Sequence, residues 1–240
     1  MVAVRGWWRE ISGLVLPVAC GGCGRPRTEL CEQCALALYG WAARRARPVP
    51  EPEGLPVVHA AAAYSDAVRA LLLAHKERGA MGLARPLGRA LAGAVRASAP
   101  ARGAGLGPVL LVPVPSARRA VRARGHDPLR RIALAAAGEL RRTGRPAQVL
   151  PVLRQHRQVA DQAGLTARER LVNLSAALRL RPGAESLLKG GTAVLVDDLM
   201  TTGASLVEAA RALSAVQEGD RGGSERPNAA VVAVPALSFR

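Results

Sequence analysis

The stretch VLVDDLMTTGAS, residues 194–205, sets two carboxylates side by side where an apolar run stops, then follows them with hydroxyl residues and a glycine. Adjacent acids repel each other, and a glycine costs backbone entropy on folding. The segment therefore carries a local cost that a ligand or the fold must offset. In an α/β sheet, ligands sit beyond the carboxyl ends of the strands. Asp197 and Asp198 stand at that point on the most apolar strand of the C-terminal half. With the next helix starting near Thr202, the amides of Met200, Thr201, Thr202, Gly203 and Ala204 become unpaired donors at a positive helix end, a seat for a phosphate dianion. Gly203 permits close approach, while Thr201, Thr202 and Ser205 add hydroxyl donors. Carboxylates repel phosphate but accept hydrogen bonds from a sugar diol. A diol and a phosphate a few bonds apart describe a ribose 5-phosphate. A plain capped strand–helix turn has no need of the acid pair.

Outward from this stretch, strand-like and helical runs alternate. Residues 57–64 (VVHAAAAY), 109–114 (VLLVPV), 192–196 and 229–234 (AAVVAV) read as strands, and 147–153 as a weaker one that Pro151 interrupts. In 66–76 the residues Val68, Leu71, Leu72 and His75 recur at helical spacing, His75 as a packing residue. Residues 83–96, 127–143 and 205–216 are also helical, the second of these with Asp127 as N-cap and Pro128 at its first position. Segment 109–114 shows no polar alternation, the mark of a strand buried on both faces. The pattern predicts an α/β fold: a Rossmann-like parallel sheet with helices on both faces. Residues 218–228 (EGDRGGSERPN) read as a loop, and the Arg-, Pro- and Glu-rich 41–56 as a linker. The linker divides a small N-terminal domain at 1–45 from the α/β domain at 57–240.

The 240 residues suit one medium α/β domain with a small appendage. Apolar residues make up 49%, enough for a core, but there are only three Trp, two Tyr and one Phe. Ala, Val and Leu must build that core. The net charge of +16 is almost wholly arginine, since Lys76 and Lys189 are the only lysines. Such a bias fits either codon usage in a GC-rich genome or an anionic partner such as phosphate groups or nucleic acid. The apolar part of GWWREISGLVLPVAC (6–20) is interrupted by Arg9 and Glu10 and closed by Pro17. It falls short of the ~20 residues a spanning helix needs. The expectation is a cytoplasmic protein without a membrane span, its thiols reduced.

All four cysteines lie in CGGCGRPRTELCEQC (20–34). Cys20, Cys23, Cys31 and Cys34 form two Cys-x2-Cys pairs, which supply four thiolates for a tetrahedral, structural Zn²⁺. A disulfide is the competing account, and reducing surroundings disfavour it. Arg25 and Arg27 lie within the knuckle, with Trp7, Trp8, Tyr39 and Trp41 nearby. Aromatics beside arginines either stack on single-stranded nucleic acid or form the small domain's own core. His59, His75, His126 and His156 are scattered without metal-ligand spacing.

Residues 194–205 resemble the signature of type I phosphoribosyltransferases: a hydrophobic strand, two acids, two residues, then Thr-Gly-x-Thr/Ser. With Cys-x2-Cys pairs ahead of it, the chain resembles the ComF family (amidophosphoribosyltransferase-like competence proteins). Further elements of that family are matched in order by LVLPVAC (14–20), HKERG (75–79), VPVPSARRAVRARG (112–125), LRQHRQVADQAGL (153–165) and RLVN (170–173). The resemblance implies a type I phosphoribosyltransferase fold behind a zinc knuckle, with phosphoribosyl pyrophosphate and Mg²⁺ at the site. Asp197 and Asp198 are then the catalytic acids. Met200, Thr201, Thr202, Gly203, Ala204 and Ser205 bind the phosphate, assisted by Lys76, Arg118 and Arg119.

Pyrophosphate leaves as positive charge builds on the ribose ring, so a metal and cationic side chains must neutralise it. Arg118, Arg119, Arg122 and Arg124 follow VPVPS and either reach the pyrophosphate or form a solvated basic loop. The resemblance also implies an alternative without turnover: a DNA-uptake accessory module that binds single-stranded DNA and an ATP-driven, helicase-type competence protein. Two departures stand out. His126, Asp127 and Pro128 replace the family's Phe-Asn-Gln, putting an acid near the pyrophosphate. Thr201 stands where enzymes for 6-oxopurines carry an aspartate, and a threonine is no proton acceptor near neutral pH. Hypoxanthine and guanine are therefore not the expected acceptors.

Overall fold

The computed structural model describes residues 18–99, 107–157, 159, 164–217 and 227–239. Its main sheet holds β1 (Arg44–Ala46), β2 (Val57–Ala63), β3 (Val109–Pro113), β4 (Ala147–Val149), β7 (Thr192–Leu199) and β8 (Asn228–Val234), in the order β1-β2-β8-β7-β3-β4. All neighbours pair in parallel except the edge strand β1, which runs antiparallel to β2. Two further strands, β5 (Leu153–Gln155) and β6 (Leu178–Leu180), form a separate antiparallel ribbon. The fold is thus α/β with a mostly parallel six-stranded sheet, in agreement with the alternation of the sequence.

The central strands bury both faces, and their side chains alternate between two cores. On β7, Val194 and Val196 join one core and Leu195 the other, as Ala230 and Val232 against Ala229 and Val231 do on β8. The first core lies under α2 (Asp66–Glu77), α3 (Ala84–Ser98) and α5 (Pro128–Arg142). In place of aromatics, close helix approach fills it: a Cβ on Gly88 of α3 would fall 2.5 Å from the Ala135 methyl of α5. The second core lies under α8 (Ala204–Gln217), the β5–β6 ribbon and the short α7 (Ala184–Leu188).

Asp127 caps α5 as expected, its Oδ1 accepting the Arg130 amide at 3.0 Å with Pro128 at the first helical position. Elsewhere the structure departs from the sequence reading. The stretch 41–56, expected as a linker, contributes β1, and Leu55 is buried against the second core. The arginines after VPVPS, for which a solvated basic loop is one of the two readings, lie instead on the helix α4 (Arg118–Arg124). Arg and Ala are good helix formers, and Gly125 ends the helix at φ +73°. The expected strand at 147–153 is split at Pro151 into β4 and β5, which belong to different sheets. Among the described residues, two further α-helices are α1 (Glu32–Tyr39), which follows the cysteine pairs, and α6 (Ala167–Leu174), which lies between β5 and β6. Trp7, Trp8, most of the LVLPVAC leader, the 160–163 part of LRQHRQVADQAGL and nearly all of the 218–228 loop lie outside the described residues. Among the described residues, no helix is long and apolar enough to cross a membrane.

Candidate functional site

The strand β7 continues through the acid pair rather than stopping before it. Asp197 stands opposite Val231 and Leu199 opposite Ala233 on β8. The amide of Met200 extends the ladder, donating to the Ala233 carbonyl at 3.1 Å, and the Met200 side chain is buried. Met200 therefore has no amide left for a phosphate, which corrects the expectation for that residue. The amides of Thr201, Thr202, Gly203, Ala204 and Ser205 find no acceptor among the described residues. They form the turn into α8 and its first residues. Gly203 sits at φ +80°, and a Cβ there would fall 2.6 Å from Leu55 Cδ1. Both facts demand glycine.

The two acids are not equivalent. Asp198 Oδ2 accepts from Lys76 Nζ at 2.9 Å, across 122 residues of chain, and the Asp198 amide donates to Asp197 Oδ1 at 2.8 Å. Burial, reinforced by the charge on Asp198, pushes the Asp197 carboxyl well above the usual carboxylate range; the Asp198 amide and Lys76 pull the other way. The charge on Asp198 raises the Lys76 ammonium, with burial opposing. Asp197 thus holds its proton more readily than an exposed acid, while Asp198 carries the ion pair.

Lys76 is held in place by its neighbours in sequence. His75, 1% exposed, sets Nδ1 3.2 Å from the Ala80 carbonyl oxygen and Nε2 3.2 Å from that of Pro128, tying α2 to the start of α5. Glu77 accepts both Arg124 Nε at 2.9 Å and Arg124 Nη2 at 2.6 Å. Three consecutive residues at the end of α2 thus reach three separate segments around the acids. His75 is a buried packing residue, as expected, with polar contacts in addition.

Arg118 and Arg119 are exposed on α4, and no ion pair joins them to Asp197 or Asp198 among the described residues. Arg118 does line a cavity of about 280 Å³ beyond the end of β3, shared with Ser116, Arg122, Asp127, Arg154 and Arg181. Arg119 is not in its lining. Asp127 borders this cavity while capping α5, so an acid does face the arginines there.

Arg170 entered the sequence reading only as part of RLVN, without a role of its own, and Glu208 not at all. Arg170 on α6 donates from Nη1 to Thr201 Oγ1 at 3.4 Å. Glu208, buried on α8, accepts the amides of Ala176 at 3.2 Å and Leu178 at 2.8 Å. Arg211 grips the same carboxylate at 2.7 and 2.8 Å and donates to the Leu178 carbonyl at 2.9 Å. This clamp fixes β6 to α8, the helix that follows the 201–203 turn. A glutamate three residues before an arginine looks like an ordinary surface pair on a helix, so nothing in the sequence marks it as buried.

The four cysteines converge. Their Sγ atoms all lie within 4.8 Å of one another and form the one cluster of potential metal ligands among the described residues. Tetrahedral zinc with Zn–S bonds of about 2.3 Å places its sulfurs roughly 3.8 Å apart. Cys23 Sγ and Cys31 Sγ are 3.5 Å apart, far beyond a disulfide bond, and all four thiols are free. The Cys31 amide donates to Cys20 Sγ at 3.3 Å. Burial raises the Cys20 thiol, yet the amides of Cys31, Cys23 and Gly22 outweigh it and hold it at about 6. The Cys34 amide lowers Cys31, whereas burial and neighbouring thiols raise Cys34. The cluster could hold a metal ion such as zinc, and it packs into the first core with Leu38. Tyr39 lies under Arg89, with 4.5 Å from the guanidinium carbon to the ring centroid, whereas Trp41 is 82% exposed. No family model matches the chain, and no curated protein matches it.

Proposed function

We propose that the chain is a ComF-like, type I phosphoribosyltransferase domain that binds phosphoribosyl pyrophosphate with Mg²⁺ behind a structural zinc knuckle. One observation carries this reading: a carboxylate pair at the end of a central parallel strand, followed at once by five amides, in the turn and at the start of α8, that find no acceptor among the described residues. The amides of Thr201 to Ser205 take the 5′-phosphate, and the carboxylates of Asp197 and Asp198 accept the ribose hydroxyls. Oxygen donors of this kind also suit Mg²⁺, whose part is to neutralise the departing pyrophosphate. Lys76 places a cation beside the diol, and the arginine-lined cavity with Arg118 offers charge for the pyrophosphate. Burial and the charge on Asp198 make Asp197 hold its proton more readily, and its carbonyl oxygen accepts from a hydroxyl in either protonation state, so the residue serves a diol both ways. Calorimetric titration with phosphoribosyl pyrophosphate, with and without Mg²⁺, tests the reading. Submicromolar to micromolar binding that needs Mg²⁺ is expected, and no heat at millimolar ligand would overturn it. Pyrophosphate release on adding candidate acceptors then separates an enzyme from a binding module.

A second reading has its own support. Trp41, Arg25 and Arg27 are all exposed, an aromatic ring and two cations that are free of the core. This surface fits single-stranded DNA and suits an accessory module working beside a helicase-type partner. Fluorescence titration with a labelled single strand tests it.

A further inference from the structure

Arg170 belongs to α6, which packs against α8, the helix that opens at the phosphate turn. Its Nη1 reaches Thr201 Oγ1 at 3.4 Å, a long contact for a hydrogen bond. Its Nε is buried and has no partner. A guanidinium offers five donors in a planar fork that matches phosphate and carboxylate oxygens in pairs. Here one donor makes a weak contact and another, buried, makes none. Leaving a buried donor atom without an acceptor is costly, and among the described residues no ion pair joins Arg170, itself partly exposed, to a carboxylate. The same turn carries the other uncommitted donors of the site, the amides of Thr201 to Ser205. Donors from two different helices thus converge on one short segment.

We infer that Arg170 is a further ligand-binding residue: its guanidinium joins the amides of the 201–205 turn in holding the 5′-phosphate of a ribose 5-phosphate group. The inference rests on the phosphoribosyl reading above and adds to it a cation from outside the turn. It also explains a division of labour among the basic groups. Lys76 stands at the acids, the α4 arginines stand at the cavity beyond β3, and Arg170 stands at the turn between β7 and α8.

The test compares three ligands on wild-type protein, Arg170→Gln and Arg170→Lys: ribose 5-phosphate, phosphoribosyl pyrophosphate with Mg²⁺, and pyrophosphate with Mg²⁺. A charged hydrogen-bonding group lost from a binding site weakens affinity roughly 10- to 100-fold. Arg170→Gln should lose about that factor equally for the two ribose phosphates and none for pyrophosphate. Arg170→Lys should fall between, keeping the charge without the fork. Melting temperatures should stay within a few degrees of wild type, because the Thr201 contact is long. Unchanged ribose 5-phosphate affinity in Arg170→Gln overturns the inference while leaving the phosphoribosyl reading standing. Loss confined to pyrophosphate also overturns it, moving Arg170 to the leaving group. Wild-type protein that binds neither ribose phosphate overturns both.

Discussion

The cysteine knuckle and the β7–α8 turn each gather polar groups at one point, yet one is closed and the other open. In the knuckle the four sulfurs face each other, and backbone amides already serve them, as the Cys31 amide serves Cys20. Nothing there waits for an exchanging ligand. At the turn, five amides and the Nε of Arg170 have no acceptor among the described residues, and the acid pair is only partly balanced by Lys76. A closed cluster holds structure together, whereas an open one holds something that comes and goes. The comparison makes opposite demands on mutants: changes in the knuckle should cost stability, and changes at the turn should cost binding.

The largest effect belongs to the knuckle. Cys20→Ser leaves a three-ligand site, and Cys20, Cys31 and Cys34 lie in the same core as α2, α3 and α5. Loss of a metal site sits in the tail of mutational effects, about 4–5 kcal/mol, or roughly 8–20 °C in melting temperature for a chain of this size. The purified protein should carry one zinc per chain and the variant none. Metal analysis that finds no zinc in reduced, fresh wild-type protein removes the closed half of the comparison.

Next in size is the acid pair. Asp197→Asn with Asp198→Asn should weaken phosphoribosyl pyrophosphate binding beyond detection while the fold survives. Stability should hold or rise, and the sign follows from Asp197. Its folded-state carboxyl is raised, so the native state holds the proton and is favoured at low pH. Ionising it costs stability as pH climbs from the unfolded value through the folded one. The double variant escapes that cost, so its gain over wild type should be greater at pH 7 than at pH 4. Normal ligand binding by the variant would refute the diol role. A gain that shrinks with rising pH would refute the burial argument.

The surface around the knuckle carries a more moderate expectation. If the arginine excess serves nucleic acid, each neutralised phosphate on a single strand contributes about −0.7 to the slope of log K against log salt. Four or five contacts give a slope of roughly −3. Trp41→Ala should cost ~1–3 kcal/mol of that binding if a base stacks on the ring, and with 82% of Trp41 exposed the fold should not notice. Salt dependence that persists unchanged in Trp41→Ala and in Arg25→Ala with Arg27→Ala would make the charge a diffuse field. No binding even at low salt would leave codon usage as the reason for the arginines.

How far the sequence disclosed these features depended on how local they were. The Cys-x2-Cys pairs converge as their spacing suggested, because one short knuckle and the start of α1 bring them together. The parallel sheet was legible from runs such as VLLVPV, which lack any polar alternation. The Asp127 cap was legible because its partner is three residues away. What failed was either very short or very distant. β1 has only three residues, two of them arginines, and exists because β2 offers an edge to pair with. Pro151 marked a break correctly, but nothing nearby says that β5 would leave the sheet to pair with β6. The amide of Met200 looked free because its acceptor, the Ala233 carbonyl, belongs to a strand more than thirty residues further on. The Arg170–Thr201 contact spans two motifs, neither of which names the other.

Lys76 sits on the boundary between the two kinds of region, and its variant should produce the smallest change in stability. The Lys76–Asp198 pair has good geometry at 2.9 Å, but 37% of the lysine side chain remains exposed, so solvent screens much of the attraction. Exposed pairs contribute about 0.2–1 kcal/mol, and Lys76→Met should fall within that range. The lysine is raised by Asp198, so its contribution is fully present below the ordinary lysine value and is lost only as pH rises through the folded one. The stability difference between Lys76→Met and wild type should therefore be flat from pH 6 to pH 9 and should narrow with added salt. Binding is the sharper measure. Without Lys76, Asp198 loses its cation, so phosphoribosyl pyrophosphate should bind more weakly at fixed Mg²⁺ if the lysine serves the ligand. If it instead blocks Asp198, the variant should bind ribose 5-phosphate more tightly than wild type. Titrating both proteins with ribose 5-phosphate at fixed Mg²⁺ reads the sign directly: weaker binding makes Lys76 part of the open site, and tighter binding makes it a latch across it.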